Sequence, residues 1–521
     1  MIKATSTVAI IALAVLAYQM IVAYSHRISS GYADSAGFME LVGKNGLTEP
    51  LKSQYFASVQ QLFSLYQESP DRICALIPKS LSGSTSVFSG HPYLISVVGS
   101  LVSWLTNLQP DLVAALLILG STFMGLGAII VFLKRNQVSY FMTGLFVFLI
   151  CCYPVLTHSL LGQPYFDRLM FGPGVTVFLL VWWTKYKSLM PWRWICFSTI
   201  VLALISERGA ALAGLISVGY LFVLHGTKIF TQRELRYILA SGSLSLFYTF
   251  WWSRYMQATN LGGKIDYRRF GSRLEFLFHQ PNLEATKTLF IVSATFLLLS
   301  LFSGRGFLLV AISLFPNLLI GVGGAELNVF LTHYHQVYLP VLLAASAIAV
   351  VKVSKLIRRM NNQFMVKTLG IALIAIFSII SFNFSFSRVP PVFGINTLDD
   401  AATLWFPSSH FYDGENKKNI STAREIASYV KTQGLNVSAP ESWYPILLLS
   451  GVDEVQYWPF GVGTADVIIV PYVEGELNVL PHSDPQGSTQ VLRSCVQSEL
   501  EKHYVMKRKI DNNLMIYTKV D

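Results

Sequence analysis

Polar segments interrupt an otherwise apolar chain, and each carries side chains able to do chemistry at a lipid–water boundary. The first opens with Gly31-Tyr32-Ala33-Asp34 and closes with Ser89-Gly90-His91-Pro92. The second is Gln163-Pro164-Tyr165-Phe166-Asp167-Arg168, and the third is Thr332-His333-Tyr334-His335. A carboxylate held where headgroups meet water can act as a general base, taking a proton from the hydroxyl of a sugar or similar acceptor. Cations and imidazoles beside it can hold a lipid phosphate or diphosphate as it leaves. Asp34 is the candidate base, and it suits a helix-capping role in a loop equally well. His333 and His335 fit three roles: phosphate donors, metal ligands or interfacial packing groups. No carboxylate with metal-ligand spacing accompanies them, so no metal ligand is assigned; a divalent metal stays open but unsupported, and no cofactor is certain.

A fourth polar link, Ser206-Glu207-Arg208-Gly209, joins two short apolar runs. It reads either as a dip in the outer membrane surface or as a tight turn with a solvated ion pair.

These residues must be positioned by membrane helices. Of the 521 residues, 53% are apolar and only 13% charged, whereas soluble domains carry about 25% charged residues. Too little polar surface remains to cover a water-soluble globule of this size. The net charge of +10 comes from short Lys/Arg clusters between apolar runs, the pattern that sets topology rather than nucleic-acid binding.

A helix needs roughly 20 apolar residues to cross the hydrocarbon. Thr5–Tyr24 is one such run, read as an uncleaved first helix because no small-residue cleavage site follows. Further runs lie at 111–133, 138–157, 169–184, 192–206, 209–225, 236–254, 286–302, 305–323, 335–353 and 364–384. The total is about eleven spans. His91–Leu108 is read as an interfacial or re-entrant helix. That choice puts Lys134/Arg135, Lys185/Lys187/Arg193, Lys228/Arg233/Arg236, Arg305 and Lys352/Lys355/Arg358/Arg359 on the inside. The N-terminus is then cytoplasmic and the C-terminus outside. The basic stretch Lys264–Arg273 falls outside against the rule, which makes it a candidate for binding an anion.

From Arg388 the composition changes, and Pro390-Pro391 ends the last span. The division expected is a membrane domain over 1–387, with residues 25–110 as its outer loop, and a small extracytoplasmic α/β domain over 388–521. In that domain Ser421 caps a helix running to Gln433, which Gly434 ends. Leu435–Ala439 and Ala465–Pro471 read as strands, and Trp443–Leu449 as a short helix. Tyr504–Lys509 and Leu514–Lys519 form a hairpin around Asp511-Asn512-Asn513. No phosphate-binding glycine loop appears there. Of the five cysteines, Cys74 and Cys495 both fall outside, so a disulfide between them is open.

A first helix, a long outer loop opening with an Asp in "GYADSAGFMEL", and a His-Pro start to an interfacial helix in "SGHPYLISVVGSLVSWL" together resemble the GT-C superfamily. Those are polytopic glycosyltransferases that use polyprenyl-phosphate-linked sugars. "LISERGAAL", "LFPNLLIGVGGAELNVFLTHYHQVYLP" and the tail "LNVSAPESWYP" are closer to a GT-C-like family of uncharacterised prokaryotic membrane proteins. The resemblance implies Asp34 as the base, with Arg208 and Arg168 binding phosphate. Glu207 accompanies Arg208, and His91, His333 and His335 line the site. It implies a polyprenyl-phosphate-linked sugar donor, a glycan, lipid or protein acceptor, and a prokaryotic plasma membrane. Two departures stand out: Asp34 lacks a second adjacent acid, and Glu207-Arg208-Gly209 replaces the usual Lys-Gly-Pro turn, with Arg208 offering a planar fork in place of a point charge.

Two rival classes make different demands. A transporter or flippase needs charges near mid-bilayer and repeat symmetry between halves, and the spans hold few charges away from their ends. A non-catalytic assembly subunit needs no outward cavity reaching the lipid.

Overall fold

The computed structural model describes residues 7, 9–18, 20–21, 74, 95–108, 110–161, 166–185, 191–258, 280–320, 333–359, 414–440, 443, 447, 450–452, 455–473, 476–479, 488–509 and 514–520. The chain divides into two compact units. One comprises Met1–His26, Leu112–Trp252 and Asp266–Phe411; the other comprises Arg27–Asp111, Ser253–Ile265 and Tyr412–Asp521.

The first unit is helical. In chain order its described helices are α1 (Ala9–Tyr18), α3 (Pro110–Arg135), α4 (Tyr140–Cys151), α5 (Pro154–Leu161), α6 (Phe171–Trp183) and α7 (Trp192–Ile205). They continue with α8 (Glu207–Phe230), α9 (Arg233–Ala258), α10 (Gln280–Leu301), α11 (Arg305–Ile320) and α12 (Leu339–Arg359). Helix α2 (Ile95–Thr106) precedes α3 and belongs to the second unit. Three described helices are long and apolar enough to cross a membrane: Leu112–Arg135, Glu207–Phe230 and Leu339–Arg358.

Two expected spans differ from the structure. The run 138–157 is broken at Cys152-Tyr153, where Pro154 starts a new helix and its ring bars the preceding residue from helical backbone. The run 209–225 is longer than expected. It begins at Glu207 and extends to Phe230, taking in a π-helical stretch at Leu215–Tyr220. The run 364–384 lies outside the described residues.

Helix α12 is the hub of this unit. Leu342, Leu343, Ala344, Ala345, Ala347 and Ile348 are all fully buried, as expected of a helix apolar all round and enclosed by others. It packs against α6, α10 and α11. The outward faces of the bundle are apolar too. Trp194 and Phe197 on α7, and Leu244 and Phe247 on α9, are largely exposed. In water such a surface would be a liability; in lipid it is the required exterior.

The two ends of the bundle differ in charge. At one end Lys352 Nζ donates to the Ser303 carbonyl at 2.6 Å, and Arg305 Nη1 donates to the Val223 carbonyl at 2.5 Å. Arg358 bonds Gln137 at 3.2 Å, and Thr184 Oγ1 lies 2.7 Å from His225 Nε2. Lys134 and Arg135 lie in the last turn of α3, and Lys185 and Lys228 are within electrostatic reach of His225. The opposite end gathers Phe166–Met170, Ser206–Arg208 and His333–Val337.

The second unit holds a six-stranded sheet. Its elements are α13 (Gly414–Gln433), β1 (Val437–Ala439), β2 (Val455–Tyr457), β3 (Val467–Val473), β4 (Glu476–Leu477), α14 (Ser488–His503), β5 (Tyr504–Lys509) and β6 (Leu514–Lys519). The strand order is β2-β1-β3-β6-β5, with β4 pairing β3. Strands β1, β2 and β3 run parallel, while β6 is antiparallel to both β3 and β5. Alternation along β3 sends side chains into two cores. Val467 and Ile469 pack with Ala423, Ile426, Ala427 and Val430 of α13. Ile468 and Val470 pack with Leu492, Val496 and Leu500 of α14. Burial on both faces explains the continuous apolar run Val467–Val470. The hairpin strands fall where the sequence expects them; α14, β2 and β4 are additions, and α13 starts at Gly414, so Ser421 lies within it rather than capping it.

Cys74 and Cys495 are joined by a disulfide, with their Cα atoms 5.7 Å apart. It ties Cys74 to α14. The remaining cysteines, Cys151, Cys152 and Cys196, are free. A thiol-reactive polyethylene glycol therefore adds three tags to the denatured, unreduced protein and five after reduction. Five tags without reduction would refute the pairing.

Candidate functional site

The polar end of the helical unit is built around the break between α7 and α8. Helix α7 stops at Ile205, and Ser206 adopts extended backbone at φ −165° and ψ 170°. Its hydroxyl caps α8 by accepting from Gly209 N at 3.2 Å, satisfying one of the orphan amides of the first turn. A Cβ at Gly209 would overlap the Leu202 carbonyl, so only glycine lets the two helices meet this closely.

The same Ser206 hydroxyl donates to Asp167 Oδ1 at 2.6 Å. Arg208 Nη1 donates to Asp167 Oδ2, also at 2.6 Å. Asp167 is fully buried, in the one-turn 3-10 helix Phe166–Met170 that leads into α6. A carboxylate there has lost its water, and the guanidinium with the serine hydroxyl replaces it. Arg208 is less enclosed: its side chain keeps 24% exposure, and its Nε lies 3.9 Å from Glu207 Oε1.

Arg168 faces the other way. It is 1% exposed, and its Nε donates to the carbonyl of Ser159 on α5. Gln336 meets the same serine, its Nε2 donating to Ser159 Oγ at 2.8 Å. Arg168 therefore joins α5 to the turn before α6, and Gln336 joins α5 to the turn before α12. His335 is also fully buried, with Nδ1 2.9 Å from the Tyr338 hydroxyl. The hydroxyl of Tyr248 and Oε1 of Gln336 are buried with no hydrogen-bond partner among the described residues. Tyr248 is on α9, within electrostatic reach of Glu207, and Thr249 donates to the Glu207 carbonyl at 3.3 Å.

The structure thus brings Arg168, Glu207, Arg208 and His335 to one end of one bundle. His333 begins the 3-10 turn before α12, and its side chain lies outside the described residues. Asp34, His91 and the Lys264–Arg273 stretch lie outside them as well. Asp167 is the residue that sequence reasoning passed over. Its signal was present: an acid beside an arginine, in a chain with few charges, with a second Glu-Arg pair further on.

The sequence matches no family model, and no curated protein matches it. Similar solved structures include two of ArnT. One is ArnT from Cupriavidus metallidurans bound to undecaprenyl phosphate, at TM-score 0.40 and 13% identity over 93% of this chain and 96% of that one. The other is ArnT from Cupriavidus metallidurans in the apo state, at TM-score 0.38 and 11% identity over the same shares. Similarity at this level leaves the chemistry to be read from the residues themselves.

Among the described residues, no group of three or more His, Cys, Asp or Glu side chains has metal-binding geometry. What the site offers is a guanidinium held from behind by a buried carboxylate and partly open in front. That arrangement fixes the fork in space before any ligand arrives, so less rotamer entropy is lost on binding.

Proposed function

We propose that this chain is a membrane glycosyltransferase of the GT-C type, moving a sugar from a polyprenyl-phosphate carrier to an acceptor at the outer face of the membrane. The observation that carries the reading is the Ser206–Asp167–Arg208 arrangement, a pre-oriented cation at the polar end of an apolar bundle. Arg208 binds the donor phosphate and steadies its charge as the sugar leaves. Arg168 sets the floor by tying α5 to the turn below it. His91, His333 and His335 line the site. Asp34 is the base that takes the acceptor proton.

The four charged groups of the second polar segment and the helix link sum to zero: Asp167 and Glu207 against Arg168 and Arg208. A phosphate needs further positive charge, and Lys264–Arg273 is the stretch that supplies it. The Cys74–Cys495 bond supports the outer placement of both the loop and the tail, because disulfides persist outside the reducing cytoplasm. The charge asymmetry of the bundle ends supports the same sidedness. The buried charges sit in turns at helix ends rather than within helices, which favours this reading over transport.

The test is a transfer assay with defined polyprenyl-phosphate sugars, comparing the intact protein with Asp34→Asn. Transfer by the intact protein and none by the variant is the expected result. No transfer from any polyprenyl-phosphate sugar would end the proposal.

A further inference from the structure

Away from the bundle, the second unit contains a groove of about 490 Å³ along one edge of α14. Sites that hold small molecules span about 300–1,000 Å³. Arg493, Gln497 and Glu501 line it at helical spacing, each one turn after the last. Tyr472 of β3, Tyr517 of β6 and Glu476 of β4 face them.

The lining alternates aromatic surface with hydrogen-bonding groups. The Tyr472 and Tyr517 hydroxyls are 3.0 Å apart and hold the two rings in fixed register. The Tyr504 hydroxyl accepts from Gly463 N at 2.9 Å and donates to the Ala465 carbonyl at 2.7 Å. Its polar end is spent and its ring belongs to the lining. Burial, then the bond to Tyr517, pushes the Tyr472 phenol up, so it stays protonated at any physiological pH. Arg493 Nη1 bonds Glu476 Oε2 at 2.5 Å, and its Nε is shielded from water with no acceptor among the described residues. Gln497 Nε2 donates to Glu501 Oε1 at 3.0 Å.

Each ligand class meets this lining differently. A phosphate or other anion meets two carboxylates, Glu476 and Glu501, against one guanidinium. A cation meets Arg493. An apolar chain would displace water from the remaining lone pairs of Glu476 and Glu501 and give them nothing in return. A neutral sugar ring satisfies all of them, with an apolar C–H face for the tyrosines and hydroxyls that both donate and accept for Arg493, Gln497 and Glu501.

We propose that this groove binds a neutral saccharide chain. The claim stands apart from the transfer reading, since it concerns binding at the second unit and needs no turnover. The experiment uses the full-length protein in lipid nanodiscs and saturation-transfer NMR with chitohexaose, maltohexaose and mannohexaose as neutral probes. Oligogalacturonate is the anionic comparator. The expected result is saturation of ring protons in at least one neutral probe, with Kd below about 1 mM. Tyr472→Ala weakens that binding about tenfold, whereas Tyr472→Phe, which keeps the ring, changes it less than about threefold. Gln497→Ala, on the helix surface, weakens it as well and guards against a misfolded tyrosine variant. An unfolding temperature unchanged from that of the intact protein reports that each variant is folded. Absence of binding by every neutral probe would overturn the proposal. So would oligogalacturonate binding as tightly, or unchanged affinity in both Tyr472→Ala and Gln497→Ala.

Discussion

Arg208→Ala lowers the stability of the helical unit by about 3 kcal/mol, because it strands a buried carboxylate. Asp167 is fully buried and draws its charge compensation from Arg208 at 2.6 Å. Removing the guanidinium takes away the cation at 2.6 Å, and the Ser206 hydroxyl is a neutral donor worth about 1 kcal/mol that does not replace its charge. The double variant Asp167→Ala/Arg208→Ala is the control. With both charges gone, nothing remains to be desolvated, and the double variant unfolds at a higher temperature than Arg208→Ala alone. Thermal unfolding in detergent, followed by size-exclusion chromatography, measures both. If the single and double variants unfold together, the pair is a solvated surface contact and the structural account of the site is wrong. Arg208→Lys falls between them, since a point charge can approach Asp167 but cannot fork between it and a phosphate.

If the proposed sugar transfer holds, Asp34→Asn reduces its turnover number by about 10²–10⁴-fold, the usual contribution of a general base. The amide keeps the shape of the carboxylate and can accept hydrogen bonds, but it cannot take the acceptor proton. The unfolding temperature therefore stays where it is while turnover falls, a split that a purely structural Asp would not produce. Full activity in this variant removes Asp34 from the mechanism, whatever Arg208 does. The two variants act independently: one tests the group that moves a proton, the other the group that holds charge.

Some of this was legible in the residues alone. The apolar runs at 111–133 and 335–353 became long helices because a membrane or bundle interior demands backbone bonds satisfied within the segment, and hydropathy reports that demand directly. The hairpin at Tyr504–Lys519 followed from its turn residues, which act over a few positions. The link Ser206-Glu207-Arg208-Gly209 was visible as an interruption, because a serine cap and a glycine are local signals.

What the charges of that link were for was not visible. Arg208 and Asp167 are 41 positions apart, and no periodicity relates them. Only the packing of α6 against α7 and α8 makes them partners. The same holds for Arg168, which the sequence offers as a phosphate ligand and the fold turns inward to Ser159. The direction a charged side chain faces at a helix end depends on which neighbour arrives, and that is a long-range fact. Helix α14 was missed for a different reason. Its buried positions Leu492, Val496 and Leu500 form a one-residue-wide stripe among polar neighbours, a weak local signal that the sheet beneath it makes decisive. The sequence by itself determined where the chain must shed water, since transfer of apolar surface is a property of each segment. The tertiary structure alone decided which buried charge meets which, since a pair exists only where two distant segments are held together.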